Sequence, residues 1–151
     1  MYTLVRRFIK TGIAFLFVGL AIGAWMEVQR DLLHVWPSAY LKSAHIHALL
    51  MGFVMFLILG VALWLFPRPA QDDHRYAPAR IAAAYWVLVI ATATRVFGEL
   101  ALANSKSQWG EWMAIAGGFG QVLGLAIYFW SMWGRIRPTG SQIREARGER
   151  F

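Results

Sequence analysis

The stretch HIHALLMGFVMFLILGVALWLF, residues 45–66, decides the fold. It contains no Asp, Glu, Lys or Arg, and as a helix rising about 1.5 Å per residue it is about 33 Å long, enough to cross the hydrocarbon layer of a bilayer. Two imidazoles, His45 and His47, stand at its head. A polar ring in hydrocarbon needs a partner that lipid cannot supply, so intramembrane histidines are rare and mark function. The pair points to a buried cofactor.

Three further apolar stretches extend outward from this one. The spacing predicts spans at about 8–28, 43–66, 80–103 and 112–134, with Lys10 able to snorkel from the first and Arg95 and Glu99 lying inside the third. Hydrophobic residues make up 58% of the 151 positions and aromatics 15%, in long blocks rather than the short stripes of a soluble domain. The expected fold is therefore all-α: an integral membrane four-helix bundle in a single domain. The first span follows Arg6, Arg7 and Lys10, as a secretory signal would, but Trp25, Met26 and Glu27 take the place of a small-residue cleavage site. It is read as a retained helix. The chain has no cysteine, which excludes disulfides, thiolate haem ligation, iron-sulfur clusters and thiol catalysis.

Charge sets the orientation. The N-terminus (Arg6, Arg7, Lys10), the second connection (Arg68, Arg75, Arg80) and the C-terminal tail (Arg135, Arg137, Arg144, Arg147, Arg150) hold eleven basic residues, whereas the first and third connections (Arg30, Lys42, Lys106) hold three. The positive-inside rule then places both termini in the cytoplasm, N-in/C-in, in a bacterial-type inner membrane. The net charge of +7 is mostly this topology signal, and nucleic-acid binding need not be invoked. Residues 135–151, with Pro138 and Gly140, read as a solvated basic cytoplasmic tail that touches anionic headgroups.

In that orientation His45 and His47 lie roughly 4 to 8 Å below the outer surface, and Arg95 is about 22 Å from the inner one. They share a level in the outer leaflet, with Glu99 and Glu27 at or just above it. Such a layer suits haem b: imidazole supplies an axial nitrogen, apolar walls hold the porphyrin, and Arg95 neutralises the propionates. Arg95 and Glu99 also have the i,i+4 spacing of an intrahelical ion pair, and the two roles can coexist. Residues two apart point about 200° apart on a regular helix, so the histidines cannot chelate one zinc or copper ion between them. One can face the bundle interior while the other faces a second cofactor or a neighbouring subunit. Below His45 runs a stripe with Ala48, Gly52 and Gly60, small residues that admit either a flat macrocycle or another helix.

The run Ala44-His45-Ile46-His47-Ala48-Leu49-Leu50-Met51-Gly52-Phe53, continued by Gly60-Val61-Ala62-Leu63-Trp64-Leu65-Phe66-Pro67, resembles the tenth helix of subunit I of the haem-copper oxidase and nitric oxide reductase superfamily. The resemblance covers about 25 residues closely. It implies that His45 holds a high-spin haem and His47 a low-spin haem. The family also needs three more histidines for its second metal and another for the low-spin haem, and this chain offers only His34 and His74. His74 falls in the cytoplasmic connection, a membrane thickness away. Complete oxygen reduction is therefore not expected of this chain alone.

His34, in the first outer connection, could fold back as a second axial ligand, or lie solvated beside Trp36. Met26, Met51 and Met113 are possible thioether ligands, and Met commonly serves as filler. Gly19-x-x-x-Gly23 and Gly120-x-x-x-Gly124 are small-xxx-small patterns that serve intrachain packing or a homodimer, which could bring a ligand from a second copy. The resulting expectation is a membrane b-type haem protein for electron transfer or for binding oxygen or nitric oxide, held by His45 and/or His47. The alternative is an accessory or assembly subunit of a respiratory oxidase-like complex without catalysis of its own. A small transporter is the third class, but helices 2 and 4 offer little polar lining below the outer third apart from Gln121.

Overall fold

The computed structural model describes residues 2–69, 73–137, 140, 143, 147 and 148. All regular structure among them is helical. Helices α1 (Tyr2–Glu27), α2 (Ala39–Ile46), α3 (Met55–Leu65), α4 (Pro78–Asn104) and α5 (Gln108–Met132) form four candidate membrane-spanning rods, because α2 and α3 are joined without a break by the wide-turned segment His47–Val54. This is the architecture of a multi-pass membrane protein. The rods are longer than the spans expected from hydropathy and contain them except for Phe66 of the second, because hydropathy ends at the first charges whereas the hydrogen-bonded helix continues past them.

Local chemistry fixes the ends. Ser38 caps α2 by accepting the Leu41 N–H at 3.2 Å, and Ser107 caps α5 by accepting the Gly110 N–H at 3.2 Å. Pro78 opens α4, where its missing N–H is no loss. The second rod ends at Leu65, because Phe66 precedes Pro67 and adopts the extended backbone this imposes.

The rods are antiparallel. Gly23 meets His45, Gly19 meets Leu49, Gly12 meets Phe53 and Gly60 meets Phe8, so α1 and the second rod run in opposite directions. Gly98 of α4 meets Ala114, and Gly117 and Gly124 of α5 meet Arg95 and Leu88, so α4 and α5 also run in opposite directions. Both small-xxx-small patterns are thus taken up within the chain: Gly19 and Gly23 lie on the second rod, and Gly120 and Gly124 lie on Ala91 and Leu88 of α4. They no longer argue for a dimer.

The core divides into two clusters. At the end that carries the termini, Phe8 sits among the rings of Phe56, Tyr85 and Tyr128 at centroid distances of 5.7, 5.1 and 5.8 Å, with Leu59, Leu63, Ile81 and Leu88 around them. At the far end the cluster is smaller: Ile22, Leu41, Ala44, Ala48 and Val96. The outside is more apolar than a soluble surface allows, with Phe17, Trp64, Ile90, Phe119 and Val122 exposed, which suits contact with lipid.

Arg135 departs from the sequence expectation. It was placed as the first residue of a solvated tail, but it is fully buried, donating from Nε to Pro67 O at 2.7 Å and from Nη2 to Leu63 O and Phe66 O at 3.0 and 2.9 Å, with its guanidinium 4.9 Å from the Tyr76 ring centre. The cause is the end of α3, whose last carbonyls have no intrahelical donors. Pro138, Arg144 and Arg150 of the tail lie outside the described residues.

Candidate functional site

His45 occupies the last turn of α2 and faces α1. Its Nδ1 lies 2.8 Å from Gly19 O. A backbone carbonyl only accepts, so Nδ1 carries a proton and donates, and in the neutral imidazole Nε2 is then the nitrogen with the lone pair. The ring edge rests on Gly23, where an added Cβ would come within 2.8 Å of Cε1. Close approach of a side chain to the α1 backbone is thus the reason for glycine at both 19 and 23.

His47 opens the wide-turned segment and faces α4. Its Nδ1 is 2.9 Å from Glu99 Oε2. Glu99 is buried and accepts two further donors at Oε1, the Ser43 hydroxyl at 2.8 Å and Arg95 Nε at 3.3 Å. Three donors on one carboxylate make its charge tolerable inside a membrane span. The Arg95–Glu99 pair is the i,i+4 ion pair foreseen from spacing. Wide turns are uncommon in helices and concentrate at functional sites, and this one begins between the two histidines.

The two imidazoles therefore point to opposite neighbours, α1 and α4, each with Nδ1 tethered to an oxygen. A ring held in this way has a fixed tautomer and orientation, the arrangement usual for a metal-ligating histidine. Two cavities flank the second rod at this level. One, of about 590 Å³, is lined by His45, Gly23, Met26, Glu27, Arg30, Trp36 and Lys42 among others. The other, of about 570 Å³, is lined by Tyr40, Ser43, Arg95, Glu99 and the α5 residues Ala114, Ile115, Gly118, Phe119 and Val122. Both volumes are in the range of small-molecule and cofactor sites.

This separates residues that the sequence had grouped. His47, Glu99 and Arg95 form one bonded network, but Arg95 lines the cavity away from His45. The cations that share a cavity with His45 are Arg30 and Lys42, which sequence reading used only to count topology. Lys42 was findable, lying three residues before His45 on one helix face, as was Ser43, four before His47. Arg30 was not, because its position depends on how the chain leaves α1.

The remaining candidates fall as follows. Gly52 is buried beneath the Phe15 ring, so of its two expected uses helix packing is the one the structure displays. His34 is exposed in the first connection with φ 53° and lines a cleft of about 190 Å³ with Arg30, Val35 and Trp36, next to the His45 cavity but not part of it. His74 is exposed at the opposite end of the bundle. Met26 lines the His45 cavity. Among the described residues no three His, Asp or Glu side chains converge as an ion-chelating group. Comparison with known protein families, curated proteins and solved structures returns no match.

Proposed function

We propose that this chain is a membrane b-type haem protein, of the electron-transfer or diatomic gas-binding kind, with His45 as the axial ligand. The observation that carries this reading is the placing of the His45 ring: Nδ1 is anchored to Gly19 O, which leaves Nε2 to serve as a ligand in the neutral ring, and the residue lines a cavity of about 590 Å³ that also holds Lys42. Lys42 would hold a propionate, Arg30 being bonded through Nε and Nη2 to Asp31 at 2.7 and 2.8 Å; Gly23, Met26 and Trp36 supply walls. The haem iron supplies one-electron chemistry or a site for a gas. His47, tethered by Glu99, is a second anchored imidazole on the opposite face and lines neither of the two cavities.

A second ligand to the haem would come from Met26, which lines the same cavity, from His34 in the neighbouring cleft, or from a second copy of the chain in a homodimer; without one a gas could bind. Two protein ligands suit electron transfer with a respiratory-chain partner; one suits gas binding. The likeness of residues 44–67 to the His-x-His helix of the haem-copper oxidase superfamily supports the same ligation. The basic residues at the termini support an N-in/C-in orientation in a bacterial-type inner membrane.

The test is the absorption spectrum of protein purified in detergent after expression with added haem. A Soret band is expected, lost or shifted in His45→Ala or His47→Ala and unchanged in His74→Ala. No band, or the same band in both single variants and in the double variant, would remove the reading and leave an accessory subunit.

A further inference from the structure

Arg95 lies nine residues from the last residue of α4, about 13 Å along the helix axis, well inside the span. Among the described residues its guanidinium makes one hydrogen bond, from Nε to Glu99. Both Nη groups, four N–H donors in all, have no acceptor among the described residues. Its side chain is 28% exposed, and the surface it exposes lines the second cavity, between α2 and α5. Gly118 makes room for it: a Cβ there would strike Nη1. Donors at this depth cannot be satisfied by hydrocarbon.

The chemistry of the cavity limits what can satisfy them. Glu99, within bonding distance of Arg95, repels an anion such as a phosphate or carboxylate, and Arg95 repels a cation. The site is neutral overall and rich in donors, so it calls for an uncharged molecule with an acceptor oxygen. The other wall, formed by Ile115, Phe119 and Val122, is apolar, and these three residues are exposed on the outer face of α5. A molecule that reaches this cavity arrives from the bilayer.

We propose that the cavity over Arg95 binds an uncharged, membrane-dissolved carbonyl compound, its oxygen accepting from the Arg95 Nη groups and its apolar body lying on Phe119, Ile115 and Val122. Two sources share this chemistry, a quinone ring and the ester carbonyl of a neutral glycerolipid. The site is separate from the His45 cavity and does not rest on the haem reading.

The experiment is equilibrium dialysis of the detergent-solubilised chain, and of its His45→Ala variant, against decyl-benzoquinone, dioctanoylglycerol and dioctanoyl-phosphatidylglycerol. One of the two neutral probes should bind saturably and one to one, in both proteins, and which one identifies the source. Val122→Trp, which fills the cavity from its lipid side, and Gly118→Ala, which displaces Nη1, should each weaken that binding at least tenfold. Ile58→Trp, on a lipid-facing surface elsewhere, should leave it unchanged. Saturable binding of neither neutral probe, equal binding in the cavity variants, or displacement by the anionic lipid would each overturn the proposal.

Discussion

The two ends of this bundle are built from the same four helices but solve different problems. At the end with the termini, the large polar side chains that enter the interior are bonded there, although Ser131 Oγ and Asp73 Oδ2 are buried without a hydrogen-bond partner: Tyr128 donates to Leu59 O at 2.5 Å, Thr11 and Tyr85 share a hydrogen bond of 2.8 Å, and Arg135 closes three carbonyls. At the far end the core cluster is smaller, and two of the polar side chains there are only half satisfied from within. His45 and Arg95 each use part of their hydrogen-bonding capacity on the protein and turn the rest to a cavity. Without a strong hydrophobic drive between helices in lipid, packing and hydrogen bonds hold such a bundle together. One end is therefore expected to carry stability and the other ligand binding.

The largest expected effect breaks the first half of that contrast. Arg135→Leu removes the donors from Leu63 O, Phe66 O and Pro67 O and should lower stability by on the order of 3 kcal/mol, since hydrogen bonds from a charged donor to buried acceptors are among the strong ones. Thermal melting in detergent should fall by roughly 6–12 °C. Haem titration and carbonyl-probe binding of the protein that remains folded should not change. A drop confined to ligand binding would show that the two ends are not separable in this way.

The contrast also marks where sequence reading works. The four rods were legible because lipid requires about 20 predominantly apolar residues in a row, a signal that survives the few charges of the first and third rods. The opposed directions of His45 and His47 were legible from their spacing on a helix. Their partners were not: Glu99 accepts from Ser43 and His47 on another rod, and nothing in the chain order announces that α2 and α4 meet at that register. Arg135 was misread for a related reason. A basic residue after an apolar run looks like the start of a tail, and only the fold reveals that the carbonyls of a distant helix end are waiting for it.

A smaller, local effect should break the second half. Gly23→Ala places a methyl group against Cε1 of His45 and must turn the ring or part α1 from α2. With its tether to Gly19 O strained, His45 should bind haem about tenfold more weakly, the magnitude typical for loss of a histidine's orienting partner. The melting temperature should fall by only what overpacking of about 1–3 kcal/mol allows. Haem titration beside a melting curve measures both. A large loss of stability with unaltered haem affinity would mean that the far end, too, is chiefly structural.

The smallest effect locates the boundary between the two ends. Gln121 donates to the Thr92 hydroxyl at 3.2 Å, midway between the Arg95 network and the aromatic cluster, and both residues are buried. Gln121→Leu keeps the volume roughly constant and removes one interhelical hydrogen bond. In a membrane this should be worth about 0.6 kcal/mol, because the Thr92 hydroxyl can turn back to a carbonyl of its own helix. The shift is close to the limit of a melting experiment, so the useful measurement is comparative. If Gln121 belongs to the structural end, its loss should add to that of Arg135→Leu within about 0.5 kcal/mol in the double variant and leave carbonyl-probe binding alone. If it belongs to the cavity end, the same substitution should alter the position of Arg95, one turn along α4 from Thr92, and weaken probe binding while the melting temperature stays where it was.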